Sequence, residues 1–354
     1  MEKTPAPDPH PGKPLAPEPG AAGSGDRIGT RLPWTRVWRG GRLEAEGFPV
    51  ADISDHLRAE DTIVWVDLCA PGPDELRVIG EELGLDEVAI EDAVSRHERA
   101  KLDRYPGYLF LNAYDVHLDR ATGRLSTTEV SAFITERALV TVRQDPHFDV
   151  AELLRRWEAG RDLARHGVGF LLHGLLDMLV DRHFDAVQAL DDELEQLEDL
   201  LFDGKTSDHD MQQYGFQLRK SLVLLRRVVL PMREVVNTLM RRDLNVVSEA
   251  MAPLYQDVYD HVLRAGEWTE SLRDMVTTIQ ETRIALQGNR LNEVMKKVTS
   301  WAAMIGIPTA VTGFYGMNVP YPGFDQQAGF IWSMAILVIS AVALYIVFKV
   351  RDWL

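Results

Sequence analysis

Residues 292–318 join two properties that pull against each other. The stretch is apolar enough to enter a membrane, yet Ser, Thr and Gly recur along it. Set on a helix, Asn292, Met295, Thr299, Ala302, Gly306, Thr309 and Gly313 follow three- and four-residue steps and fall on one polar or small stripe. Val294, Val298, Trp301, Ile305 and Val311 mark the other face. A face against lipid has no use for a polar stripe. A face that lines water, or packs closely on copies of itself, does.

A second apolar run, from about Phe330 to Phe348, follows, with no charged residue between Gly329 and Phe348. At ~1.5 Å per residue, about 20 residues cross a ~30 Å hydrocarbon core, so this run is just long enough. The first span, from Lys297 to about Tyr315, is weakened by Pro308 and by its stripe. Lys296, Lys297, Lys349 and Arg351 flank the outer ends of this hairpin, and residues 319–329 hold no Lys or Arg. The positive-inside rule then predicts a multi-pass protein of the plasma (inner) membrane with both termini cytoplasmic. A two-span subunit cannot enclose a channel alone, so conduction through the stripe demands an oligomer. No phosphate loop, dinucleotide fingerprint or Gly-x-Ser-x-Gly motif is present, which argues against an enzyme and against an ATP-driven pump.

The loop between the spans opens with Gly316-Met317-Asn318. Placed after Asn292-Glu293-Val294-Met295-Lys296 and the Pro308-Thr309 step, this motif resembles that of the CorA family of magnesium and cobalt transporters. The resemblance covers most of the chain beyond residue 34. It implies a homopentamer in the lipid bilayer that takes up Mg2+, with Co2+ or Ni2+ as passengers, and is gated by intracellular Mg2+. Gly316, Met317 and Asn318 would form the selectivity mouth. Mg2+ gives up water reluctantly, so neutral oxygens that touch its hydration shell suit it. Thr309 and Asn292 match polar rings of the family's pore, and Met295 and Val298 its apolar constriction. Thr299, Ala302 and Gly306 complete the lining. Gly306 stands where relatives carry apolar bulk, which places the gate at Met295 and Val298. The loop also lacks the Met-Pro-Glu-Leu type of segment common in the family's magnesium transporters. That leaves a ZntB-like, proton-coupled Zn2+ transporter as an alternative, and a non-conducting membrane-anchored sensor as another. Read without the family, Asn292 is as readily a surface residue. Thr309 and Thr312 could bond back to helix carbonyls, Met295 could be packing, Gly306 and Gly313 could serve close helix approach, and Asn318 could cap the loop.

Residues 1–33 are rich in Pro, Gly and Ala and predict a disordered tail. Residues 34–165 predict a cytoplasmic α/β domain with a mixed sheet. Thr62–Leu68 reads as a buried strand, Asp74–Leu83 and Asp86–Ser95 as helices, and Gly107–Leu118, Ser126–Thr135 and Ala138–Arg143 as consecutive antiparallel strands. Residues 166–292 predict a helical stalk, after a first helix over Phe148–Ala164. Its long helices are Val168–Asp203, closed by Gly204, one from Ser207-Asp208 to about Arg242 with a kink at Pro231, and one that runs from Pro253 toward the membrane without a clear stop. Residues 293–354 form the transmembrane hairpin. The fold class is thus an α+β membrane protein. A net charge of −16 argues against nucleic acid as a partner. The one cysteine, Cys69, excludes a disulfide framework within the chain and reads as a small residue at a strand end.

Carboxylates supply a second constellation. Glu91-Asp92, in a segment that continues to Arg99, and Asp257 on the stalk match the family pattern. There, acids of neighbouring subunits share a divalent ion, and its loss loosens the ring. Read alone, Asp92 and Asp257 are ordinary helix-surface acids, and Glu91 is the weaker candidate. Asp181 is a further possible contributor, and His97 near Glu91 reads as a surface histidine. The acidic run from Asp191 to Asp199 reads as a solvated helix face, with Arg226-Arg227 and Arg241-Arg242 as its ion-pair partners.

Overall fold

The computed structural model describes residues 33–95, 99–203, 208–318, 320, 323 and 326–353. The tail before residue 33, His97, the cap at Gly204 and most of the loop after Asn318 lie outside the described residues. Seven strands, β1 (Trp34–Arg39), β2 (Arg42–Glu46), β3 (Thr62–Cys69), β4 (Lys101–Tyr105), β5 (Tyr108–Asp119), β6 (Arg124–Thr135) and β7 (Ala138–Arg143), form one sheet in the order β2-β1-β3-β7-β6-β5-β4. Only β3 and β7 run parallel; every other neighbouring pair is antiparallel, so the sheet is mixed.

Alternation along the strands divides the interior into two cores. On one side lie Val64, Val66, Leu68, Phe110, Phe133 and Val140, covered by the short helices α1 (Ile53–His56), α2 (Pro73–Leu83) and α3 (Glu87–Val94). Trp65, Leu111, Ala132, Ile134 and Leu139 point the other way, into the larger core. That core is built with α4 (Val150–Ala159), α5 (Val168–Asp203), α6 (Asp208–Leu239) and α7 (Ala252–Tyr315). A last helix, α8 (Gln327–Val350), packs back against the end of α7.

Local chemistry sets the helix ends. Helix α2 starts after Gly72, whose N–H donates to the Glu75 carboxylate at 2.9 Å, and it stops at Gly84 in the left-handed region, φ 65°. The single helix expected over Phe148–Ala164 is instead α4 followed by a 3-10 turn, Arg161–His166. Gly160 marks the break, its N–H bonded to the Arg156 carbonyl at 3.0 Å. Helix α6 runs unbroken through Pro231 and ends at Leu239, before the expected Arg242. The basic pairs do not meet the acidic face of α5. Arg226 pairs with Glu270 of α7, and Arg241 with Asp243 beside it at 3.2 Å. Asp192 is held by Arg120 at 3.1 Å, and Glu193 accepts from Tyr214 at 2.5 Å.

Two buried polar contacts hold the sheet together and tie it to a helix. Asp67 of β3 and Arg143 of β7, each 1% exposed in the side chain, pair at 2.9 Å, and Thr141 adds a hydrogen bond to Asp67 at 2.8 Å. Removing one partner of a buried pair strands the other charge, at about 3–5 kcal/mol. Asp67→Ala should therefore lower chemical-denaturation stability by that amount, and an unchanged midpoint would contradict the role. His183 of α5, buried, donates from Nε2 to the Tyr114 carbonyl oxygen at 2.7 Å, which leaves Nδ1 without a partner among the described residues. Burial pushes its pKa down from 6.5 to about 4. The folded state then binds fewer protons than the unfolded one. The stability that depends on neutral His183 is complete above pH 6.5 and is lost as pH falls toward 4, by up to about 3 kcal/mol. His183→Gln should flatten this acid limb when melting temperatures are compared between pH 7 and pH 5.

Candidate functional site

Helix α7 is 64 residues long. At ~1.5 Å per residue it spans about 96 Å. Its first half carries a buried stripe at three- and four-residue steps, Tyr255, Val258, Val262, Ala265, Thr269, Leu272, Val276 and Ile279. These residues pack it on α5 and α6. Tyr255 also donates to the Gly169 carbonyl at 2.8 Å, and Arg226 of α6 pairs with Glu270. Past Ile279 the burial fades. From Gln287 to Thr299 every residue is exposed on all sides, although Leu291, Val294, Met295 and Val298 are each more than half exposed and apolar. Cover resumes at Ser300, which is fully buried and bonds back to the Lys296 carbonyl at 2.8 Å.

In the last third of α7, Ser300, Met304, Pro308, Val311 and Tyr315 are shielded, and Val311 and Tyr315 share a cavity of about 510 Å³ with Phe330, Ser333, Met334 and Leu337 of α8. At 3.6 residues per turn these positions form one face. Asn292, Met295, Thr299, Ala302, Gly306, Thr309 and Gly313 lie on nearly the opposite side and are all exposed. Val298 borders them and is exposed as well. Beyond the adjoining turns of the helix itself, no atom lies within 4 Å of where a Cβ would stand at Gly306 or Gly313, so neither glycine serves a contact with another element. Thr309 bonds back to the Ile305 carbonyl at 2.7 Å, and Thr312 to those of Pro308 and Thr309 at 3.1 and 3.0 Å. Both hydroxyls spend their protons on the helix and keep lone pairs free. Among the described residues α8 is the helix both long and apolar enough to cross a membrane on its own composition.

The helix ends at Tyr315, with the Gly316 N–H on the Thr312 carbonyl at 2.9 Å. A Cβ at Gly316 would stand 3.0 Å from that oxygen, which favours glycine there. Met317 and Asn318 follow, both exposed. Sequence reasoning missed a close contact in the loop that follows. Gly323, at φ 91°, lies so close to Gly329 at the start of α8 that a Cβ on Gly329 would overlap the Gly323 carbonyl. A glycine in the first turn of an apolar run was the available signal.

The carboxylates fall into separate layers. Asp92 sits on α3, against the smaller core, and pairs with Lys101 at 3.0 Å; Lys101 also holds Asp103 at 2.8 Å. Burial opposes the charge of Lys101, yet its hydrogen bonds to Asp103 and Asp92 leave its pKa raised, so it stays cationic. Glu91 beside it is exposed. Asp257 lies on α7, on the other side of the sheet, exposed and 3.9 Å from His261 Nδ1. One chain therefore does not bring Asp92 and Asp257 together. Asp181 is engaged elsewhere, sharing Arg156 with Asp177 at 2.8 Å each. Among the described residues no group of three or more His, Cys, Asp or Glu side chains is placed to hold a metal ion.

A profile of the family described as CorA-like Mg2+ transporter protein matches residues 60–350. The chain is 29% identical to a cobalt/magnesium transport protein CorA of Thermotoga maritima, over 88% of this chain and 90% of that one. It is 30% identical to a putative metal ion transporter, YfjQ, of Bacillus subtilis, over 82% and 89%. The fold is shared with the complete CorA magnesium transporter structure from Methanocaldococcus jannaschii. That match has TM-score 0.74 at 21% identity, and it covers 92% of this chain and 100% of the other.

The Gly323–Gly329 contact yields a prediction. Overpacking a close site costs about 1–3 kcal/mol. Gly329→Val should lower the unfolding temperature of the purified protein in detergent, and a wild-type value would show that the loop is not seated on α8.

Proposed function

The chain belongs to the CorA-like Mg2+ transporter family, and from that premise we propose that this divalent cation transporter is a homo-oligomeric channel whose pore is lined by the exposed stripe of α7. One observation carries the reading. The stripe from Asn292 to Gly313 is exposed and turns away from α8, and no side chain of its own chain packs on Gly306 or Gly313. Copies of α7 around an axis would cover the bare segment Gln287–Thr299 and enclose the stripe, with α8 outside against lipid. The last third of α7 is then the first membrane span and α8 the second, with both termini on the cytoplasmic side. The pentamer implied by resemblance fits this arrangement.

In this assembly Asn318 amides and Gly316 carbonyls form the mouth with Met317. They offer neutral oxygens to the water shell of Mg2+, which binds few ligands directly and sheds water slowly. Neutral rings hold a hydrated ion weakly enough to release it. Thr309, Thr299 and Asn292 present further oxygens down the bore. Ala302 and Gly306 leave width. Met295 and Val298 close it with apolar side chains, which gate by excluding water. An inside-negative potential drives entry by ~2.3 kcal/mol per charge per 100 mV, twice that for a divalent ion. Co2+, named beside magnesium for the Thermotoga maritima relative, would share the path, as would Ni2+. Asp92, with Glu91, and Asp257 belong to the regulatory contact. Lying on opposite sides of the sheet, they can share an ion only between two subunits. Lys101 holds Asp92 until the ion displaces it.

Flux into liposomes holding the purified protein tests the reading. Mg2+ entry should follow an inside-negative potential and fall to background in Asn318→Ala. Zn2+ entry that tracks a proton gradient, with Mg2+ excluded, would assign the protein to the zinc-transporting branch. No flux of either ion from an assembled oligomer would leave a non-conducting sensor.

A further inference from the structure

A cleft of about 960 Å³ opens between the β1–β2 hairpin and the 3-10 turn Arg161–His166. Arg36, Arg42, Arg161 and Arg165 line it, against two carboxylates, Glu158 and Asp162. Trp38 and Trp157, edge to face at 6.0 Å, close its inner side. Arg36 is buried and committed, to Glu46 and Glu158 at 3.1 Å each. The other three arginines are not committed. Arg42 and Arg161 make no hydrogen bond or ion pair among the described residues, and Arg165 meets only the His166 ring, at 3.4 Å.

The chain carries 54 Asp and Glu against 38 Lys and Arg, and Arg143, Arg156, Arg182 and Arg226 pair with carboxylates, whereas three arginines of this cleft do not. Four arginines against two carboxylates leave the lining with a surplus of positive charge, and like charges repel unless an anion joins them. The walls are also fixed in place. Gly40 and Gly41, at φ 54° and 79°, make the tight turn of the hairpin. A Cβ on Gly41 would stand 3.0 Å from the Arg165 backbone nitrogen, so the hairpin tip rests on the turn that carries Arg161 and Arg165.

We propose that this cleft binds a phosphate-bearing anion of the size of a nucleoside polyphosphate. Guanidinium forks match phosphate oxygens in pairs. Three uncommitted forks exceed what one carboxylate or one monophosphate would satisfy. The volume lies at the upper end of the ~300–1,000 Å³ typical of small-molecule sites. Nucleoside polyphosphates are also chelators of Mg2+, so such a site would place an anion sensor on the body that carries α7. The proposal stands on the cleft and does not depend on the pore.

The test is calorimetric titration of the full-length protein in nanodiscs of neutral lipid with ATP, pyrophosphate and AMP, in saturating Mg2+ and again in chelator. ATP and pyrophosphate should bind saturably in both conditions, more weakly as salt rises, and AMP roughly tenfold more weakly than ATP. The pair Arg161→Glu and Arg165→Glu should weaken ATP by about tenfold or more, or about 1.4 kcal/mol. The neutral pair Arg161→Gln and Arg165→Gln, which keeps side-chain bulk, should do so in the same direction with an unchanged unfolding temperature. Absence of binding at millimolar ATP would overturn the proposal. So would binding unaffected by both pairs, binding that vanishes with the metal, or occupancy only by headgroups in anionic discs.

Discussion

Burial along α7 stops long before the helix does. Its apolar stripe is satisfied by α5 and α6 as far as Ile279, and α8 gives cover again only from Ser300. Between them, from Gln287 to Thr299, lies a stretch of bare helix that holds Leu291, Val294, Met295 and Val298. Isolated helical segments of this length are marginal in water, and apolar side chains on them gain nothing until a partner covers them. Among the described residues no element covers that stretch. Helix α6 begins at the far end of the α5–α6 hairpin, and α8 turns back from the opposite end. A second copy of α7 is the natural partner, because an identical stripe at an identical height meets it without any shift in register. Assembly, in this view, follows from the length mismatch between the body and its longest helix.

The sheet explains why regulation would also need neighbours. Helix α3 covers the small core and α7 the large one, so carboxylates on the two helices are separated by the strands between them. The buried Asp67–Arg143 pair locks β3 to β7 at the centre of that sheet, and Arg156, through Asp177 and Asp181, locks α4 to α5. A body held so firmly responds to a bound ion as a unit. An ion shared between Asp92 of one subunit and Asp257 of the next would therefore shift whole bodies, and not a loop.

Much of this was legible in the sequence, for reasons that differ by element. The stripe from Asn292 to Gly313 could be read because helical periodicity survives even where apolarity is mixed, and the structure turns that face away from α8. The strands β5, β6 and β7 were legible from strand-like runs separated by the turn that ends in Gly123 and by Glu136-Arg137. The break at Gly160 was not, since Phe148–Ala164 keeps apolar spacing across it, and the Gly160 turn is set by tertiary contact with Phe170. The partners of Arg226 and Arg241 were misjudged because charge patterning names candidates without distances. Arg226 finds Glu270 on a helix that lies next to it only after folding. Asp92 and Asp257 looked like a pair by resemblance alone, and nothing in their spacing told which layer each would occupy.

The same continuity that makes α7 hard to cover makes it an effective lever. Its buried half is fixed to α5 by packing and by the Tyr255 bond to Gly169, and to α6 by Arg226 and Glu270. Beyond Ile279 the hold weakens: Arg283 reaches Gln212 at 3.4 Å and Leu286 packs at the edge of the core, and from Gln287 to Thr299 the helix is exposed. With ~1.5 Å per residue, Met295 stands about 24 Å past Ile279 and Asn318 about 58 Å past it. A rigid tilt of ~5° at the body would then carry Met295 by about 2 Å and Asn318, if unrestrained by α8 and lipid, by about 5 Å. In the proposed assembly, two ångströms from each of several subunits would open or close an apolar constriction to a water-coated ion, whereas the proposed mouth would be held by α8 and the bilayer. The proposed gate at Met295 and Val298 therefore sits where the lever is long enough to matter and the helix is still free to move.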